Sequence, residues 1–159
     1  MRTNCIFFLA LWLAFVPTAA PAGVQAKTIA VSPEALDEMF RKPGIKCVVA
    51  VMAVWCGPCK AALPAINKLY EEYGAKGMPL YGLSIDYAGA EAFDPVIAKY
   101  DVKFPIYWAG EGVIETYKLY PVPMLVFFCD GRIVDRLIGI QEEETMREAF
   151  RTFFPKICD

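Results

Sequence analysis

The chain has 159 residues, 57% hydrophobic and 14% aromatic, with a formal net charge of −2. That length suits one domain with its own apolar core, and the composition excludes disorder as the main state. The weakly acidic balance gives no footing for nucleic acid or an anionic surface, and the lack of histidine removes imidazole bases, Ser-His-Asp triads and histidine-ligated metals.

Residues 1–26 open with Arg2, continue as an unbroken apolar run over residues 5–16, and end in a Pro/Ala/Gly-rich stretch closing on Val24-Gln25-Ala26. This three-part layout predicts a secretory signal peptide cleaved after Ala26. The alternative is an uncleaved anchor, but the apolar run falls short of the ~20 residues a crossing helix needs, and Pro17 interrupts its continuation. No cysteine stands where a lipoprotein would carry its lipid. Residues 27–159 are then the folded domain, exported to an oxidising compartment, in bacteria the periplasm.

"SPEALDEMFRKPG" reads as a short helix, with Ser32 as cap, Pro33 in the first turn and Pro43-Gly44 as its stop. "KCVVAVMAVW" is a continuous, valine-rich run that fits a strand buried on both faces. From Gly57 the period changes: Leu63, Ile66, Tyr70 and Tyr73 share one helical face, with Pro64 inside the helix and expected to kink it, and Gly74 and Gly77 ending it. "MPLYGLSID" predicts a second buried strand, "EAFDPVIAKYDV" a helix entered at Pro95, "FPIYWAGEG" a strand or loop, and "GVIETYKLY" a short helix before Pro121. In "PMLVFFCDGRIVDRLIG", two apolar segments flank Asp130-Gly131, the pair that a type I′ hairpin turn favours. "EEETMREAFRTFF" closes the chain with a helix whose Met146, Ala149, Phe150 and Phe153 share a face, and whose leading glutamates suit the positive end of the dipole. The order predicts an α/β domain with a mixed sheet, parallel early and antiparallel at the hairpin.

The chemistry centres on Cys56-Gly57-Pro58-Cys59. A zinc site needs further ligands, and neither a second CxxC nor a histidine is present. A purely structural disulfide gains little from so small a loop. A redox pair suits the context, because a buried strand leads into the motif and a helix starts on it. That places Cys56 at the helix N-terminus, where free N–H groups and the dipole stabilise a thiolate. In this reading Cys56 attacks a partner disulfide and Cys59, one turn behind, resolves the mixed disulfide. Lys60 reads as a solvated helix lysine. No metal and no cofactor are implied.

"WCGPCK" between a buried strand and a helix, with Val122-Pro123 before a strand and a DG hairpin, resembles the thioredoxin superfamily across nearly all of the chain after residue 26. The extra helix-and-strand segment between Cys59 and Pro123, with the export signal, resembles its TlpA-like group, exported thiol-disulfide reductases linked to cytochrome c biogenesis. The resemblance implies a thioredoxin-like fold and a cis peptide before Pro123, with Val122 and Pro123 facing the cysteines and holding a partner's extended chain. Trp55 would shield the disulfide and offer apolar contact. Gly57-Pro58 is the dipeptide of reducing thioredoxins. Pro121 reads as an ordinary strand-entry proline. Disulfide-containing exported proteins are the implied partners, with a membrane-embedded thiol donor of electrons. Other readings are a disulfide oxidant or isomerase, a copper-handling metallochaperone using both cysteines, and a noncatalytic binding module; the intact motif speaks against the last.

The chain departs from the family at two places. Ala50 and Ala62 stand where relatives carry carboxylates that take the proton of the resolving thiol. Asp86, at the end of the second strand, is the remaining candidate base, although a solvated strand end is the plainer reading. Slow or strongly pH-dependent resolution is therefore expected. Beyond the motif, Cys47, Cys129 and Cys158 form an odd set. In the thioredoxin arrangement Cys47 and Cys129 lie on antiparallel neighbours, so a second disulfide between them is conceivable, with buried thiols as the default and Cys158 exposed and uninvolved.

Overall fold

The run of valines around Val48 sets the centre of the sheet. In the computed structural model, which describes residues 27–158, β1 (Ile29–Ala30), β2 (Lys46–Met52), β3 (Leu80–Ser84), β4 (Ile106–Trp108), β5 (Met124–Cys129) and β6 (Arg132–Ile138) form one sheet in the order β1-β4-β3-β2-β5-β6. The β1–β4, β4–β3 and β3–β2 pairs are parallel, while β2–β5 and β5–β6 are antiparallel. β2 and β5 are buried nearly end to end, as strands covered on both faces must be. The expected signal segment lies outside the described residues, and no helix among the described residues is long and apolar enough to cross a membrane.

Five helices cover the two faces: α1 (Pro33–Arg41), α2 (Gly57–Gly74), α3 (Asp94–Tyr100), α4 (Gly112–Tyr117) and α5 (Glu143–Phe153). A 3₁₀ turn, Ala90–Phe93, leads into α3. Successive strand residues point to opposite faces, and Phe127 and Phe128 of β5 show the consequence. Phe128 packs against Phe40 of α1 and Tyr117 of α4, while Phe127 packs against Phe150 and Phe153 of α5. Tyr73 of α2 joins Phe150 on that second face. Each face thus has its own aromatic core.

Local signals explain the boundaries. Ser32 caps α1 by accepting from the Ala35 N–H at 3.2 Å. α2 runs on through Pro64 without a break and ends at Gly74. Asp130 and Gly131 both take positive φ, 52° and 73°, as a type I′ turn requires; the Gly131 α-carbon lies so close to the Arg41 backbone that a side chain would collide with it. The two-residue β1 is an addition to the elements expected from the sequence. It is too short to show a period, and only pairing with Tyr107 and Trp108 makes it a strand.

The cysteine pairing corrects an expectation. Cys47 is a free, buried thiol, and Cys129 pairs with Cys158 instead. The register gives the reason: Cys47 lies opposite Phe128, and Cys129 opposite Lys46. Neighbouring positions of a strand face opposite sides, so Cys47 points to the α1 face and Cys129 to the α5 face. Cys158 is therefore neither exposed on a loose tail nor uninvolved. Lys46 holds the same tail, donating from Nζ to the carbonyls of Phe154 and Lys156 at 2.5 and 2.6 Å.

Candidate active site

Three parallel strands, β2, β3 and β4, point their carboxyl ends to one edge of the sheet. This edge is where an open α/β sheet leaves a crevice for chemistry. α2 begins there directly after the buried β2. Cys56 is its N-cap, in extended conformation, with Sγ accepting from the Cys59 N–H at 3.1 Å. A sulfur so placed meets an unpaired helix-terminal donor and the positive end of the dipole, both of which favour a thiolate over a thiol. Cys56 and Cys59 are joined as a disulfide, with Cα atoms 5.3 Å apart. Cys59 is 1% exposed and Cys56 5%, whereas Trp55 beside them is 49% exposed. Gly57 and Pro58 are exposed as well.

β5 runs the other way, so its first residues return to this same edge. The peptide bonds before both Pro121 and Pro123 are cis; Pro121 therefore differs from the ordinary strand-entry proline expected. The Pro123 carbonyl accepts from the Gly139 N–H at 2.8 Å, tying the start of β5 to the end of β6. Val122 and Pro123 are half-buried. Pro123 and Cys59 line one small chamber of about 20 Å³, which Ala50, Ala62, Met124, Gly139, Gln141 and Met146 help to enclose.

Both alanines in question thus border the chamber behind the inner cysteine. No residue lining it carries a charge. The volume is enough for one water, provided polar partners hold it.

Asp86 is no solvated strand end. It is 2% exposed, and its two carboxylate oxygens accept from the Val54 N–H at 2.9 and 3.1 Å. The Ser84 hydroxyl donates to the same carboxylate at 2.7 Å. Lys60 is likewise more than a solvated helix lysine: its Nζ donates to the Val54 carbonyl at 2.9 Å. The sequence carried a faint sign of the first contact, a serine and an aspartate two apart at the end of a buried strand. It carried none of the second.

The AhpC/TSA family matches this chain over residues 19–148. Thiol-disulfide oxidoreductase ResA of Bacillus cereus is 32% identical over 103 residues, 64% of this chain and 59% of that protein. A thioredoxin of Staphylococcus epidermidis is 30% identical over 105 residues, 66% of this chain and 78% of that protein. The chain thus spans about three fifths of the length of the ResA relatives it matches. Among solved structures, a putative thiol:disulfide interchange protein DsbE from Chlorobium tepidum superposes with a TM-score of 0.62 at 19% identity, covering 74% of this chain and 83% of that one. StoA from Bacillus subtilis gives 0.58 at 22% identity, covering 67% and 83%. At such identities these two likenesses speak for the fold alone, which is thioredoxin-like.

Proposed function

The chain belongs to the AhpC/TSA family, and from that premise we propose that it is an exported thiol-disulfide oxidoreductase that reduces disulfides in other exported proteins. The observation that carries this is the Cys56–Cys59 pair at the start of α2, with Sγ of Cys56 on a helix-terminal N–H and Pro123 beside the inner cysteine. The relatives named as thiol-disulfide oxidoreductases and thioredoxin support it.

In the reduced protein, the Cys56 thiolate attacks one sulfur of the target disulfide. A mixed disulfide forms and the target's other sulfur leaves as a thiolate. The Cys59 thiolate then attacks Cys56 Sγ, forming the Cys56–Cys59 disulfide and releasing the target's second thiol. Two electrons have passed to the target. Restoring the pair consumes a dithiol, which in an oxidising compartment must come from a membrane-embedded donor. Trp55 and the exposed Gly57-Pro58 face the target, while Val122 and Pro123 take its extended main chain. Residues 1–26 direct export, and the TlpA-like resemblance makes cytochrome c maturation the process to test first.

The deciding experiment is the equilibrium reduction potential of the Cys56–Cys59 couple in the Cys47→Ala protein, with Cys129 and Cys158 followed separately by peptide mapping. A value near about −270 mV is expected for a reductant. A value between about −120 and −180 mV would make it an oxidant or isomerase and overturn the direction proposed.

A further inference from the structure

Val54 stands two residues ahead of the attacking cysteine, in the loop that leaves β2 and enters α2. Its main chain is gripped from two sides by opposite charges. The N–H goes to the buried Asp86 carboxylate at 2.9 and 3.1 Å, and the carbonyl takes the Lys60 ammonium at 2.9 Å. Each gripping group is itself fixed. Asp86 receives the Ser84 hydroxyl at 2.7 Å, and its carbonyl takes the Trp108 indole N–H at 2.9 Å. Lys60 rides on the first turn of α2, where its N–H reaches the Cys56 carbonyl at 3.3 Å. The turn between the grips is closed by the Cys56 N–H donating to the Ala53 carbonyl at 3.1 Å.

A main-chain N–H and C=O are obligatory hydrogen-bonding groups, and a loop of this kind normally meets the need with backbone or water. Here an aspartate and a lysine from different parts of the chain do it. Charge-assisted hydrogen bonds are roughly twice as strong as neutral ones. A lone carboxylate this deeply buried would be costly and would oppose a thiolate nearby, whereas one matched by an ammonium across a single residue is compensated.

Resting on the oxidoreductase reading, we propose that Asp86 and Lys60 are positioning residues for Cys56: together they clamp Val54, fix the loop that presents Trp55 and Cys56, and leave the attacking sulfur beside a balanced pair of charges. Neither touches the reacting sulfurs in this role, and Asp86 is not the base for Cys59. Because the two charges act on the same sulfur with opposite sign, removing either one unbalances the thiolate in the opposite direction.

The test is the initial rate at which iodoacetamide alkylates Cys56 in the reduced protein at pH 6, read by peptide mapping. Asp86→Asn keeps one oxygen as acceptor for the Val54 N–H, removes the negative charge, and turns the second oxygen into a donor. Alkylation should rise about threefold, the size expected when a charge near a thiol is left uncompensated. Lys60→Met should lower it about threefold, Lys60→Arg should stay near the starting rate, and the Asp86→Asn/Lys60→Met double variant should return close to it. Thermal unfolding of each variant shows that the fold is intact. Single variants that move the rate the same way, or leave it unmoved while lowering the melting temperature, would overturn the proposal and reduce the clamp to a structural one. The pattern of signs is read from the thiol itself. A protein that follows it yet fails to cycle disulfides would sink the oxidoreductase reading and leave the clamp standing.

Discussion

At the scale of single residues, the chamber behind Cys59 has the clearest consequence. Ala50 and Ala62 face a space with no ionisable group on its walls besides Cys59 itself, and Asp86 spends its carboxylate on Val54 and Ser84. On the proposed mechanism, the described residues around Cys59 leave water, or hydroxide from solution, to take its proton. A positioned general base contributes roughly 10²- to 10⁴-fold where it is present. With a preformed mixed disulfide on Cys56, the release rate should climb about tenfold per pH unit across the neutral range, as thiolate becomes available. Ala62→Glu should lift the rate near pH 6 by roughly tenfold or more and flatten that dependence. A flat profile in the unaltered protein would show that another base reaches Cys59. The two alanines could be picked out in the sequence only through the family pattern. That they share one chamber with Cys59 follows from the packing of β2 against α2.

At the scale of elements, α5 is held to the sheet by more than its apolar face. Arg147 bridges Glu143 of its own helix and Glu72 of α2, and Lys68 of α2 reaches Glu143 at 2.8 Å. These pairs are at most half-buried, with Lys68 exposed, and pairs near the surface add little. The Cys129–Cys158 disulfide is another matter. It closes a separation of 29 residues, and cross-linking a loop of that length constrains the unfolded chain by about 3.6 kcal/mol. Replacing both cysteines by alanine should lower the melting temperature by roughly 10 °C. A strong reductant applied to the unaltered protein should reproduce that loss. An unchanged midpoint would mean that Lys46 and the aromatic contacts of Phe150 and Phe153 suffice to hold the helix. The helix was legible from its period and leading glutamates. Its covalent tie was not, because pairing depends on which face of β5 each residue occupies, and the register decides that.

At the scale of the whole molecule, the α1 face buries protons that alkaline solution will draw out. Burial pushes the Cys47 thiol from 9.0 up to about 12. Tyr81 is raised by burial and then by the neighbouring Cys47, and Tyr117 by burial and then by its hydrogen bond to Asp37. In all three the folded state keeps a proton that the unfolded chain gives up, so stability falls as pH rises. For Cys47 the window opens near its ordinary value of 9 and closes near about 12, with a slope of about 1.4 kcal/mol per pH unit inside it. Denaturant unfolding between pH 8 and 10.5 should show this loss, and Cys47→Ala should remove its earliest part. An identical slope in both proteins would mean that Cys47 ionises in the folded state.

Elements whose signals are local could be read from the chain alone. The valine run became β2, the Asp130-Gly131 pair became the hairpin turn, the Met146, Phe150 and Phe153 period became the buried face of α5, and WCGPC marked the cysteine pair on a helix start. Each depends on a periodicity or a backbone preference that neighbours in the chain already fix. Tertiary structure alone decided what required two distant segments to meet in a given register. It turned Cys129 toward Cys158 and away from Cys47, made a strand of Ile29–Ala30, and brought Asp86 of one crossover to Val54 of another. Side-chain alternation along a strand reverses with a shift of a single residue, and composition does not reveal which of the two registers a sheet adopts.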